Sequence, residues 1–126
     1  MLRPVAVLAA VGAATAYVGA VDPNEGGHYP TCPFLFVTGW YCPGCGSLRA
    51  VHALANGDGA TAFARNPLLV LSVGVLAVIW LRWLGRSWAG STRGTVVSGG
   101  GVWGFLGVVC TFWVLRNLPG FAWLAP

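Results

Sequence analysis

Three apolar stretches alternate with polar and glycine-rich segments along the chain. The first runs from about Pro4 to Val21 and is rich in Ala, Val and Gly. The second, Leu68 to Leu84, is the most continuously apolar. The third covers about Val102 to Arg116, with an onset as early as Thr95. Each approaches the ~20 apolar residues that a helix needs to cross a bilayer. The first stretch also fits a secretory signal, with Arg3 as a short basic region and Val18-Gly19-Ala20 as a small-residue cleavage site. A retained helix is the expectation adopted. The pattern predicts an all-α membrane bundle with three spans (4–21, 68–84 and 102–116) in one domain over 1–126.

The segment 22–66 behaves differently. Asp22-Pro23-Asn24-Glu25-Gly26-Gly27 breaks any helix, because Pro lacks a donor and Gly is entropically loose. Phe34 to Val37 is apolar but too short to span, and is expected to dip into the interface or pack on the bundle. From Gly46 the period turns helical, with Leu48, Val51, Leu54 and Ala55 on one stripe and Gly57 as a stop. Asp58 is placed to cap a second short helix, 59–65. Asn66 then caps the second span and Pro67 occupies its first turn, where a missing N–H costs nothing. Two short amphipathic helices between the first two spans are the result, lying at the membrane surface or in the bundle mouth.

Composition agrees with lipid as the solvent. Of 126 residues, 56% are hydrophobic and 8% charged, against about 25% charged in soluble domains. All seven basic residues are arginine. They are scattered rather than gathered on one face, so the net charge of +4 does not indicate nucleic acid. Trp40, Trp80, Trp83, Trp88 and Trp123 fall near segment ends, where amphipathic rings suit headgroups. With three spans, Arg3, Arg82, Arg86 and Arg93 share one side. Arg49, Arg65, Arg116 and the three acidic residues share the other. The positive-inside rule then favours a cytoplasmic N-terminus and an extracytoplasmic cysteine loop, by a margin of one arginine. Gly100, Gly104 and Gly107 give the third helix a small-residue face for partner helices in the membrane.

The residues that can carry chemistry cluster around Cys42-Pro43-Gly44-Cys45-Gly46. Two cysteines three apart at a turn-to-helix junction can bridge, hold a metal or expose a thiolate. A structural disulfide between two of Cys32, Cys42 and Cys45 is placed first. Zinc is the second reading, with Cys32, Cys42, Cys45 and His52 as donors. Cys45 and His52 sit seven residues apart, roughly 10 Å along a straight helix, which strains that set; His28 is an alternative fourth donor. The third is thiol redox by Cys42 and Cys45, with Cys45 at a helix start and Arg49 one turn on, both favouring a thiolate. No thioredoxin-like pattern surrounds the motif. Arg49, His52, Asp58 and Arg65 surround the bundle mouth. Pairing of Arg49 or Arg65 with Asp58, or with a carbonyl, is preferred to capture of an anion. Cys110, mid-way along the third span, reads as a small apolar residue.

Several further features resemble a known bacterial pattern. They are Cys32-Pro33-Phe34, Thr38-Gly39, the Cys42–Gly46 motif, Arg49-Ala50, His52-Ala53-Leu54, Gly57-Asp58, Ala62, Asn66-Pro67 and Arg116-Asn117-Leu118-Pro119. The chain is similar to the membrane protein family called domain of unknown function 2752. The resemblance implies a small bacterial inner-membrane protein with the cysteine loop as its signature, and supplies no mechanism. No Ser/His/Asp set, phosphate loop or carboxylate pair appears, and no ionisable group lies mid-span, against coupled transport. The expectation is a non-enzymatic subunit or scaffold in contact with lipid and other membrane proteins. The loop is pinned by a disulfide or zinc, with no other cofactor expected. The alternative is a membrane thiol–disulfide or metal-handling protein.

Overall fold

The computed structural model describes residues 2–90 and 98–126, all of it helical or irregular with no strand among those residues. The order is α1 (Leu2–Ala20), α2 (Pro33–Thr38), α3 (Ser47–Ala55), α4 (Gly59–Arg65), α5 (Pro67–Trp88) and α6 (Gly99–Leu115), followed by a 3₁₀ segment, Pro119–Leu124. The two short helices fall where the 3.6-residue period and the caps placed them. Asp58 accepts the Thr61 N–H at 2.9 Å to start α4, and Asn66 accepts the Leu69 N–H at 3.0 Å to start α5. The apolar run around Phe34 is a helix of its own, opened by Pro33 at a position where its missing N–H costs nothing.

α1 and α5 are long and apolar enough to cross a bilayer. At 19 and 22 residues they extend ~28 and ~33 Å, against a hydrocarbon core of ~30 Å. No part of the apolar window of α5 is buried, so it is not the core helix of a globule. The third segment differs from expectation. α6 has 17 residues, or ~26 Å, and does not reach the length of the other two. The early onset at Thr95, and Arg93 with it, lie outside the described residues.

Burial runs inside out. Val11, Leu71, Leu76, Leu81 and Phe105 are exposed, while Asn66 and Arg116 retain 1% and 2% of their surface. The small apolar core is Ala50, Ala53 and Ala62, where α3 and α4 pack as a hairpin flanked by Leu54, Leu69 and Val70. Alanine there lets two short helices approach closely at little entropic cost. α1 docks on α3 at Gly19, where an added Cβ would sit 2.9 Å from the Ala55 Cβ. His52 Nδ1 lies 2.9 Å from the Val18 carbonyl oxygen at the same seam. At the other end of α1, Trp80 Nε1 donates to the Pro4 carbonyl at 3.2 Å. α6 is tied in at its C-terminal end, where Trp113 meets Phe34 edge-to-face at 5.6 Å.

Gly46 shows how tightly the loop is seated. Its φ is +83°, and an added Cβ would come within 2.6 Å of the Pro126 Cβ and 2.7 Å of the Arg65 carbonyl oxygen. Gly57 has a similar φ of +80° with open space around it. Alanine at Gly57 therefore meets only the left-handed backbone cost, about 1–2 kcal/mol. Alanine at Gly46 adds a clash with backbone, and a total loss of about 3 kcal/mol or more is expected. Thermal unfolding of the two variants in detergent checks this; equal losses would contradict the close seating of Gly46.

Candidate functional site

Two successive turns fold the Cys42–Gly46 pentapeptide. The Cys45 N–H donates to the Cys42 carbonyl at 3.1 Å and the Ser47 N–H to the Gly44 carbonyl at 3.0 Å. Pro43 suits the first corner because its φ is preset, and Gly46 takes the left-handed position that caps α3. The result gathers the sulfurs. Cys42 Sγ lies 3.1 Å from Cys45 Sγ and 3.6 Å from Cys32 Sγ, and all three sulfurs fall within 4.8 Å of one another. Cys45 is buried and the other two are half-buried. None is at bonding distance, so the expected disulfide is not present and all four cysteines are free.

The turn's carbonyls are held by two buried polar side chains. Arg116 Nη1 donates to the carbonyls of Cys42 at 2.9 Å and Pro43 at 3.2 Å, and Nη2 to that of Cys45 at 3.1 Å. Asn66 Nδ2 reaches the carbonyls of Pro43 at 3.1 Å and Cys45 at 3.3 Å and the Ser47 hydroxyl at 3.1 Å. Beside them, Asn117 grips Tyr41 as a strand neighbour would, accepting its N–H at 2.8 Å and donating to its carbonyl at 2.9 Å. The Arg116 guanidinium also lies over the rings of Phe112 and Tyr41, at 5.0 and 5.9 Å from their centroids. No carboxylate lies within ion-pair reach of Arg116 among the described residues; the one such contact there is His52 Nε2 with Asp22 at 3.9 Å. Its Nε is buried without a hydrogen-bond partner.

These contacts correct four expectations. His52 does not join the cysteines: its ring faces Val18 and Asp22, and the metal-capable group among the described residues is Cys32, Cys42 and Cys45. His28 stands outside that group as well. Asp58 spends its carboxylate on the cap of α4 instead of on Arg49 or Arg65, and is held below the usual carboxylate range by its hydrogen bonds to the Thr61 side chain and backbone. The thiolate assignment is reversed. Burial, followed by the Cys42 thiol, pushes the Cys45 thiol up to about 12. Cys32 is the one lowered, chiefly by the Leu35 N–H, because it stands at the position just before α2. Arg49 lies on the rim of a cleft that the three cysteines also line.

Arg116 and Asn117 were legible only as a helix stop, though they sit in one of the motifs that carried the family resemblance. Nothing in local periodicity announces a contact across more than 70 residues.

Residues 32–80 match the family model described as "Protein of unknown function (DUF2752)", the family named from the motifs. The match ends within α5, so the Arg116–Pro119 motif lies beyond it. No curated protein and no solved structure matches the chain.

The environments of the thiols order their reactivity. In reduced, metal-free protein at about pH 8, iodoacetamide is expected to label Cys32 before Cys45, whose proton is retained until far higher pH. Peptide mass mapping over time checks the order; faster labelling of Cys45 would contradict the burial assigned to it.

Proposed function

We propose that the chain is a small, non-enzymatic membrane protein whose cysteine loop is closed by a metal ion. The ion is zinc by donor type, held by Cys32, Cys42 and Cys45. The observation that carries this reading is the convergence of three sulfurs within 4.8 Å on a loop clamped from behind by Asn66 and Arg116. Zinc–sulfur bonds of about 2.3 Å place tetrahedral thiolates ~3.8 Å apart; the sulfurs here stand at 3.1 and 3.6 Å, with the third pair within 4.8 Å, a spread that brackets that value. Thiolates gathered beside an uncompensated guanidinium also answer its charge. The two helices of spanning length and the outward apolar faces support a bilayer location. α6 is taken as a third, shorter span, with its glycine face toward partner helices. The arginine distribution supports a cytoplasmic N-terminus and an extracytoplasmic loop, in a bacterial inner membrane as the family resemblance implies. Packing of α1 against α3 and α5 supports its retention.

A second reading, thiol–disulfide exchange, draws on the lowered Cys32 thiol and its 3.6 Å approach to Cys42. Against it stands Cys45, one of the two cysteines expected to react, whose thiol is pushed up to about 12 by burial.

The protein is expected in the membrane pellet, releasable by detergent. Elemental analysis of the purified protein is expected to give about one zinc per chain, and less than about half would sink the metal reading. Cys45→Ser is expected to lower abundance severalfold in the membrane, since the loop loses its closure. Normal abundance with loss of a cellular phenotype would instead favour a reacting thiol.

A further inference from the structure

The chain gathers three donors where a closed tetrahedral site needs four. Among the described residues no histidine, aspartate or glutamate joins the sulfurs. His52 is engaged by the Val18 carbonyl, and the fourth cysteine, Cys110, lies exposed on α6. All three clustered cysteines line one cleft of about 520 Å³, whose rim carries Glu25, Tyr29 and Arg49. An ion on the three sulfurs therefore has an open side, and that side faces the cleft.

Charge says what fills it. Three thiolates and a divalent ion carry one net negative charge. On the carbonyl side of the same turn, Arg116 is 2% exposed, has no carboxylate partner and keeps an unpartnered Nε. Its positive charge balances the three-thiolate complex. Glu25 and Arg49, which line the same cleft, offset each other, so a fourth thiolate or a carboxylate would leave a net negative charge in a half-buried place, which costs free energy. A neutral donor leaves the balance intact.

We propose that the three-cysteine centre keeps its fourth coordination position open to the cleft, that this position takes a neutral donor from outside the chain and not a thiolate or carboxylate, and that Arg116 is the counter-charge of the centre. The proposal rests on the metal reading above.

The test uses full-length protein in detergent with cobalt(II) in place of zinc, read by visible absorption. Imidazole is expected to shift the bands of the bound ion, while 2-mercaptoethanol at the same concentration leaves them unchanged. Glu25→Gln is expected to leave the starting spectrum unchanged, since the cleft carboxylate is not a ligand. Arg116→Gln is expected to weaken cobalt binding by about 10–100-fold, as loss of outer-shell partners does. Arg116→Lys, which keeps the charge but loses the fork on three carbonyls, is expected to bind cobalt more tightly than Arg116→Gln and more weakly than the parent. A spectrum indifferent to imidazole, a shift with the thiol, a changed spectrum in Glu25→Gln, or equal affinities in Arg116→Gln and the parent would each overturn the proposal. If Arg116→Gln does not fold, the imidazole, thiol and Glu25→Gln arms decide it. Failure to bind cobalt or zinc at all would instead remove the metal reading beneath it.

Discussion

The buried guanidinium of Arg116 is the contact on which the arrangement of the loop depends. Its fork takes three carbonyls of the Cys42–Cys45 turn, and Asn66 takes two of the same three from another direction. A turn whose carbonyls are claimed on one side has little freedom to reorient its side chains. The sulfurs then meet on the side of the cleft without needing a bond between them. Taking a charge out of water is expensive unless its donors are used and its charge is answered. Here the carbonyl dipoles and the rings of Phe112 and Tyr41 answer part of it, and thiolates in front of the turn would answer the rest.

Asn66 joins local and long-range order in one side chain. Its Oδ1 caps α5 while its Nδ2 holds the cysteine turn and the Ser47 hydroxyl. The start of a long apolar helix and the position of the loop are therefore set by the same residue. Replacement by aspartate would keep the cap and lose the donor, so the two functions separate chemically. Gly46, pressed between Pro126 and the Arg65 carbonyl, carries the same lesson from the steric side. The turn is wedged as well as bonded, and Pro126 is part of the wedge.

Local physics made the hairpin readable from sequence. The Asp58 and Asn66 caps and the Gly57 stop all act within four residues, and each falls where capping chemistry puts it; the expected apolar stripe of α3 does not hold, since Leu48 is exposed and Ala50 and Ala53 take the buried face. The site was readable only in part. Proximity of Cys42 and Cys45 follows from their spacing, and Cys32 was singled out beside them. Membership of His52 did not follow, because a helical residue seven positions on is carried away along the axis, here to the end of α1. The order of thiol acidity does not follow from the motif for a related reason. Cys45 precedes the glycine cap of α3 and is buried, whereas Cys32 stands directly at the start of α2 with free N–H groups before it. Arg116 was invisible as a clamp because its partners lie more than 70 residues upstream, and no period or cap encodes such a distance.

On the membrane reading, the polar clamp also explains why α6 is held by its end. In lipid an apolar helix gains no hydrophobic free energy by leaving the acyl chains for another apolar helix, so association rests on close packing and polar contacts. The body of α6 presents glycines with open space around them, and it buries none of its residues. Among the described residues, what secures it is polar or aromatic and lies at one end: Arg116 and Asn117 on the cysteine turn, and Trp113 against Phe34. Such an attachment is strong where donors and acceptors are sheltered from water and leaves the rest of the helix uncommitted. A helix fixed at one end by charge-assisted hydrogen bonds, with a bare small-residue face along its body, has its register set by the loop. Any helix that packs on that face is then positioned relative to the cysteine centre.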